Sequence, residues 1–110
     1  VLIKEGADSM PATELAGLAG RADIAAAFLK LAANENRLRI LCHLHQHGET
    51  TVTELAGAVG LGQSALSQHL AQLRASGLVA CRRQSQTIRY RLADRRAVRL
   101  LSTLQQMFCA

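Results

Sequence analysis

The sequence predicts a mainly α-helical fold with one small β-hairpin, and three observations carry that expectation. Apolar residues recur at helical spacing through most of the 110 residues, whereas a short stretch around residue 90 switches to strict alternation. Two short helical patterns separated by a few residues containing glycine stand just before that switch, the spacing of a helix-turn-helix. The aromatic residues are only Phe28, Tyr90 and Phe108, so the core must be aliphatic.

Residues 1–20 contain Gly6, Asp8, Ser9 and Pro11 and read as a flexible segment that becomes partly helical after Pro11. Residues 21–110 read as one domain for DNA binding and dimerisation, since a chain this long suits a single core. A first helix is expected over Asp23–Ala33, with Ile24, Phe28 and Leu31 as its apolar stripe. Asn34 offers an N-cap to a second helix carrying Leu38, Ile40, Leu41, Cys42 and Leu44, which ends by Gly48.

Thr51 and Glu54 form a capping-box pattern in front of a short third helix with Leu55 and Val59, which Gly60 stops. Gly62 is a tolerated N-cap for a fourth helix from Gln63 to about Ala75, whose inner face is Leu66, Leu70 and Leu73; Gly77 follows as its C′ residue. Ile88, Tyr90 and Leu92 then alternate with Thr87, Arg89 and Arg91, and Leu78–Arg82 can pair with them across a turn near Gln84–Gln86. Asp94 caps a last helix with Val98, Leu101, Leu104 and Phe108 along one side. Four helices, a hairpin and a fifth helix in this order make a winged helix-turn-helix.

Charge points to the partner. The chain carries +5 overall, but residues 63–100 hold eight arginines against Asp94 alone, a local +7, while the remainder sums to −2. A charge run by itself is as well explained by a solvated surface; concentrated beside a helix-turn-helix it marks a polyanion partner, double-stranded DNA. The outer face of the fourth helix is Gln63, Ser64, Ser67 and Gln68, amides and hydroxyls suited to base edges in the major groove. His69 either donates to a phosphate or packs on the scaffold. Around the wing, Arg83, Gln84, Gln86 and Arg89 are expected to contact phosphates or the minor groove. One such module binds weakly, so a homodimer reading half-sites about 34 Å apart is the economical arrangement, with the first and last helices as its interface. The sequence has no cofactor fingerprint, Cys-x-x-Cys motif or paired carboxylates placed for acid–base work, so no enzyme and no cofactor are expected. Without a membrane-length apolar run or a signal pattern, the expected location is cytoplasmic.

Three widely spaced cysteines, Cys42, Cys81 and Cys109, do not suit a secreted disulfide framework and leave packing, metal ligation or thiol chemistry. His43, His45 and His47 flank Cys42, and only His43 and His47 share a helix face; surface histidines in such clusters usually bind nothing.

The blocks Arg37-Leu38-Arg39-Ile40-Leu41, Val52-Thr53-Glu54-Leu55, Gln63-Ser64-Ala65-Leu66-Ser67-Gln68-His69-Leu70 and Ser76-Gly77-Leu78-Val79, followed by the wing, resemble the ArsR/SmtB repressors over residues 22–109. The resemblance implies a homodimer that occupies an operator until a chemical inducer releases it. Metal-sensing members carry Cys-x-Cys at the start of the third helix or Asp and His on the last; here the first position reads Thr53-Glu54-Leu55 and the last helix has no histidine, so no metal site is expected. Cys42 on the second helix and Cys109 at the end of the last are similar to the persulfide- and redox-sensing subgroup represented by BigR, SqrR, YgaV and HlyU. That likeness implies that Cys42 and Cys109 sense reactive sulfur species or oxidants by forming a bridge, with Cys81 a bystander. The alternatives are a metal-responsive repressor and a DNA-binding anti-silencer.

Overall fold

The computed structural model of the chain describes residues 10–109, among which lie six helices and three strands. These residues form two compact units divided between Lys30 and Leu31. The first contains α1 (Ala12–Ala19) and most of α2 (Ala22–Ala32). The helical turn expected after Pro11 is α1, with Pro11 in an extended conformation at its N-cap. Leu15, Leu18, Ile24 and Leu29 are about half exposed.

The second unit carries the helix-turn-helix. Asn34 caps α3 (Glu35–His47) by accepting from the Arg37 amide at 3.1 Å. Gly48 closes the helix and leads to β1 (Thr50–Thr51), a strand that the sequence reading missed. Two residues cannot display an alternating pattern; only the partner strand makes them one. The Thr50 side chain is buried and its hydroxyl donates to the Gly48 carbonyl oxygen at 3.0 Å.

The capping box at α4 (Val52–Val59) is complete: the Glu54 amide donates to Thr51 Oγ1 at 3.1 Å, and the Thr51 amide donates to Glu54 Oε1 at 3.1 Å. Gly60 follows with φ 71°, a left-handed conformation that glycine adopts without the Cβ penalty, and it turns the chain toward α5 (Gln63–Ala75). Leu66, Leu70 and Leu73 are each at most 1% exposed. Full burial of three leucines stabilises the packed position of α5 by roughly 1.5–3 kcal/mol each relative to exposure.

Beyond Gly77 the chain forms β2 (Val79–Gln84), a turn with Ser85 at φ 58°, and β3 (Thr87–Leu92). The antiparallel sheet has the order β1-β3-β2, with Val79 opposite Leu92, Cys81 opposite Tyr90 and Arg83 opposite Ile88. Asp94 then caps α6 (Arg95–Cys109), its Oδ1 accepting from the Arg96 amide at 2.8 Å. The core joins Ile40, Leu41 and Leu44 of α3, Leu55 of α4, the α5 leucines, Leu78 and Val79, and Ala97 and Leu101 of α6. The α6 stripe leaves this core at its end: Leu104 is half-buried, but Phe108 is 76% exposed.

Candidate nucleic-acid interface and thiol pair

The reading helix is built by the contrast between its two sides. With its leucines buried, α5 turns Gln63, Ser64, Ser67 and Gln68 to solvent, all four exposed as the sequence predicted. The Gly62 N-cap supplies no side-chain hydrogen bond, and the first turn has no acidic residue. The first-turn amides thus meet no competing carboxylate from their own helix, an arrangement that accommodates a phosphate.

His69 lies differently: it is half-buried, and its Nδ1 accepts a hydrogen bond from Arg37 Nε at 3.2 Å. The ring therefore does engage the scaffold. Arg37, 32 residues away on α3, is a contributor that sequence reasoning did not single out.

At the wing, Arg83, Gln84 and Gln86 are exposed around the turn and Arg89 is half-buried on β3. Register puts Arg82 directly opposite Arg89. Two like charges at that distance repel, and the structure offsets them with Glu49, whose two carboxylate oxygens accept from Arg82 Nε at 2.9 and 2.8 Å. The Arg82 hydrogen bond holds the Glu49 carboxyl below its ordinary value, with further attraction from Arg91 and Arg89. Glu49 was another residue the sequence left unremarked. Among the described residues no ion pair engages Arg83.

The cysteines separate into two settings. Cys42 on α3 and Cys109 at the end of α6 are free, exposed thiols on helices that pack together, whereas Cys81 is half-buried on β2 opposite Tyr90. Burial pushes the Cys42 thiol up, and the nearby Cys109 adds to the rise by charge repulsion. Cys42 also lines an open cavity of about 610 Å³ with Leu38, Arg39, His43 and Val59.

The His43 and His47 rings stand 4.3 Å apart between centroids, as one helical turn allows. Burial, then repulsion from His47, lowers the His43 pKa, partly countered by Glu54. Among the described residues, no group of three or more His, Cys, Asp or Glu is arranged to hold a metal ion. Within the same residues, no helix is long and apolar enough to cross a membrane.

A helix with a polar outer face, pinned through its leucines and set beside an arginine-bearing hairpin, defines a winged helix-turn-helix DNA-binding regulator of transcription. Residues 34–80 match the model of a bacterial regulatory protein family, the ArsR family. The chain is 45% identical over 85 residues to the transcriptional activator HlyU of Vibrio cholerae, covering 77% of this chain and 78% of that protein. It is 40% identical over 97 residues to the HTH-type transcriptional regulator YgaV of Escherichia coli K12, covering 88% and 98%. The crystal structure of the transcriptional repressor BigR from Xylella fastidiosa superposes with a TM-score of 0.79 at 38% identity, over 92% of this chain and 99% of that one. This chain belongs to the ArsR family, and is a regulator rather than an enzyme.

Proposed function

We propose that the protein is a homodimeric repressor that binds operator DNA when reduced and releases it when Cys42 and Cys109 become linked. The observation that carries the DNA arm is the exposed set Gln63, Ser64, Ser67 and Gln68 on a helix pinned by three buried leucines. In this reading those four side chains meet base edges, and Arg83, Gln84, Gln86 and Arg89 hold the phosphate backbone. Two copies related by a two-fold axis present two such helices to successive major grooves.

The sensing arm rests on two accessible thiols carried by packed helices. In this reading Cys109, at the end of α6, attacks first and Cys42 on α3 resolves the adduct. The Cys109 thiolate attacks the outer sulfur of a persulfide R–S–SH, expelling the thiol R–SH and leaving Cys109 as a persulfide. The Cys42 thiolate then attacks Cys109 Sγ, and the outer sulfur departs as hydrogen sulfide. Two thiols are oxidised to one disulfide while one persulfide is reduced to a thiol and hydrogen sulfide. A further persulfide inserts its outer sulfur into that bridge and leaves as the thiol. The bridge ties α3 to α6 and biases the dimer toward a spacing that no longer fits the operator.

The test uses a duplex selected from a random-sequence pool. Reduced protein binds it, polysulfide-treated protein releases it, and mass spectrometry finds Cys42 joined to Cys109. Cys42→Ser and Cys109→Ser retain binding after treatment. Release by both serine variants as readily as by the parent defeats the sensing arm; absence of any salt-sensitive duplex preference defeats the DNA arm. One relative is described as an activator, which favours a second reading in which the same binding displaces a silencing protein. A reporter assay in cells separates the two by the sign of the response to deletion of the gene.

A further inference from the structure

His69 occupies the seam of α5. At roughly 100° per residue its side chain leaves the helix about 60° from the line through Leu66, Leu70 and Leu73, between the packed face and the exposed one. Its Nδ1 accepts from Arg37 Nε at 3.2 Å. A guanidinium nitrogen can only donate, so Nδ1 presents a lone pair in this bond and the neutral ring carries its hydrogen on Nε2. Nε2 lies away from Arg37 across the ring, and no hydrogen bond engages it among the described residues. The guanidinium is itself anchored, because its terminal nitrogen donates to the Leu31 carbonyl oxygen at 3.3 Å and the Arg37 amide is held by the Asn34 cap.

We infer that Arg37 is a positioning residue for DNA binding, which holds His69 as its Nε2–H tautomer and aims that hydrogen at a phosphate on the wall of the groove entered by α5. The inference rests on the duplex reading proposed above. A side chain on the flank of a groove-bound helix meets the wall, where the phosphates lie, while the outer face meets the floor. The ring contributes a directed neutral hydrogen bond rather than a charge. It therefore releases no counterion, and its loss lowers affinity without changing the dependence on salt.

Two substitutions divide the ring into its nitrogens. Asparagine places an acceptor near the position of Nδ1 and lacks the outer donor; glutamine reaches the position of Nε2 with a donor. His69→Asn is expected to weaken binding of the selected duplex about a hundredfold, since each of the two protomers loses a hydrogen bond to a charged group at about tenfold apiece, with the salt slope unchanged. His69→Gln stays within about threefold of the parent. Nitrogen-15 NMR of the free protein shows the His69 ring with hydrogen on Nε2, and Arg37→Met converts it to a tautomer mixture and weakens duplex binding as His69→Asn does. The double variant is no weaker than either single one.

A free-protein ring with hydrogen on Nδ1 overturns the positioning role, and this measurement needs neither a variant nor DNA. Parent-like affinity in His69→Asn, or a reduced salt slope, overturns the phosphate contact while leaving the duplex reading intact. Failure of the parent to bind any duplex defeats that reading instead, and is seen before any variant is made.

Discussion

Replacing Arg83 with alanine removes from the wing an exposed arginine that no ion pair engages among the described residues. Each phosphate neutralised by a cation contributes about 0.9 to the slope of log affinity against log salt. A dimer loses two such cations, so the slope shrinks by about 1.8. Over a fourfold rise in salt, from about 50 to 200 mM, the parent therefore loses about twelvefold more affinity than the variant. Sequence preference is retained, because a phosphate contact carries no base information. Fluorescence anisotropy of the selected duplex across that salt range reads the slope directly. The control is the double substitution Arg82→Gln with Glu49→Gln, which deletes an ion pair without altering net charge and leaves the slope where it was. An unchanged slope in Arg83→Ala, or an equal fall in the control, refutes the reasoning that the compensated arginine stays on its carboxylate while the uncompensated one meets the backbone.

Other outcomes follow from the same geometry. Glu49→Gln alone frees Arg82 for DNA and steepens the salt dependence, by up to about the same 1.8 in the dimer, measured by the same titration. The Glu49 and Asp94 carboxyls are held below their ordinary values, chiefly by hydrogen bonds from Arg82 and Arg96. They therefore add stability above the ordinary carboxylate range and lose it as pH falls through their lowered values, and thermal melts between neutral and acid pH flatten in Glu49→Gln and Asp94→Asn. Cys109→Ser removes a like charge from beside Cys42, so the midpoint of Cys42 alkylation against pH moves down, while burial still keeps it above an unperturbed thiol; a static midpoint contradicts the pairing. Gly60→Ala costs about 1–2 kcal/mol in denaturant unfolding from the left-handed backbone alone, since an added Cβ there meets nothing within 4 Å; no loss contradicts the turn geometry.

The elements governed by short-range rules were legible in order along the chain. Asn34, Thr51 with Glu54, and Asp94 cap helices as their residue types require, and the α5 leucines are buried because spacing puts them on one side of a helix. The polar set Gln63, Ser64, Ser67 and Gln68 was legible for the complementary reason, that a helix with one packed side must expose the other. Strand β1 was not, because Thr50 and Thr51 become a strand only by lying against Tyr90 and Arg89. Nor could periodicity give the state of Cys42: it stands next to buried Leu41 in an apolar run, yet the rotation of α3 leaves it exposed.

By itself the sequence determined where the helices from Asn34 to Ala75 are capped and which residues of α5 face outward, since each depends on neighbours within a turn or two. Only the tertiary structure decided that Arg37 grips His69 and that Glu49 claims Arg82, pairs separated by 32 and 33 residues. Such contacts depend on how helices and strands stack, and hydrogen-bond partners are chosen by distances of a few ångströms that no spacing along the chain encodes.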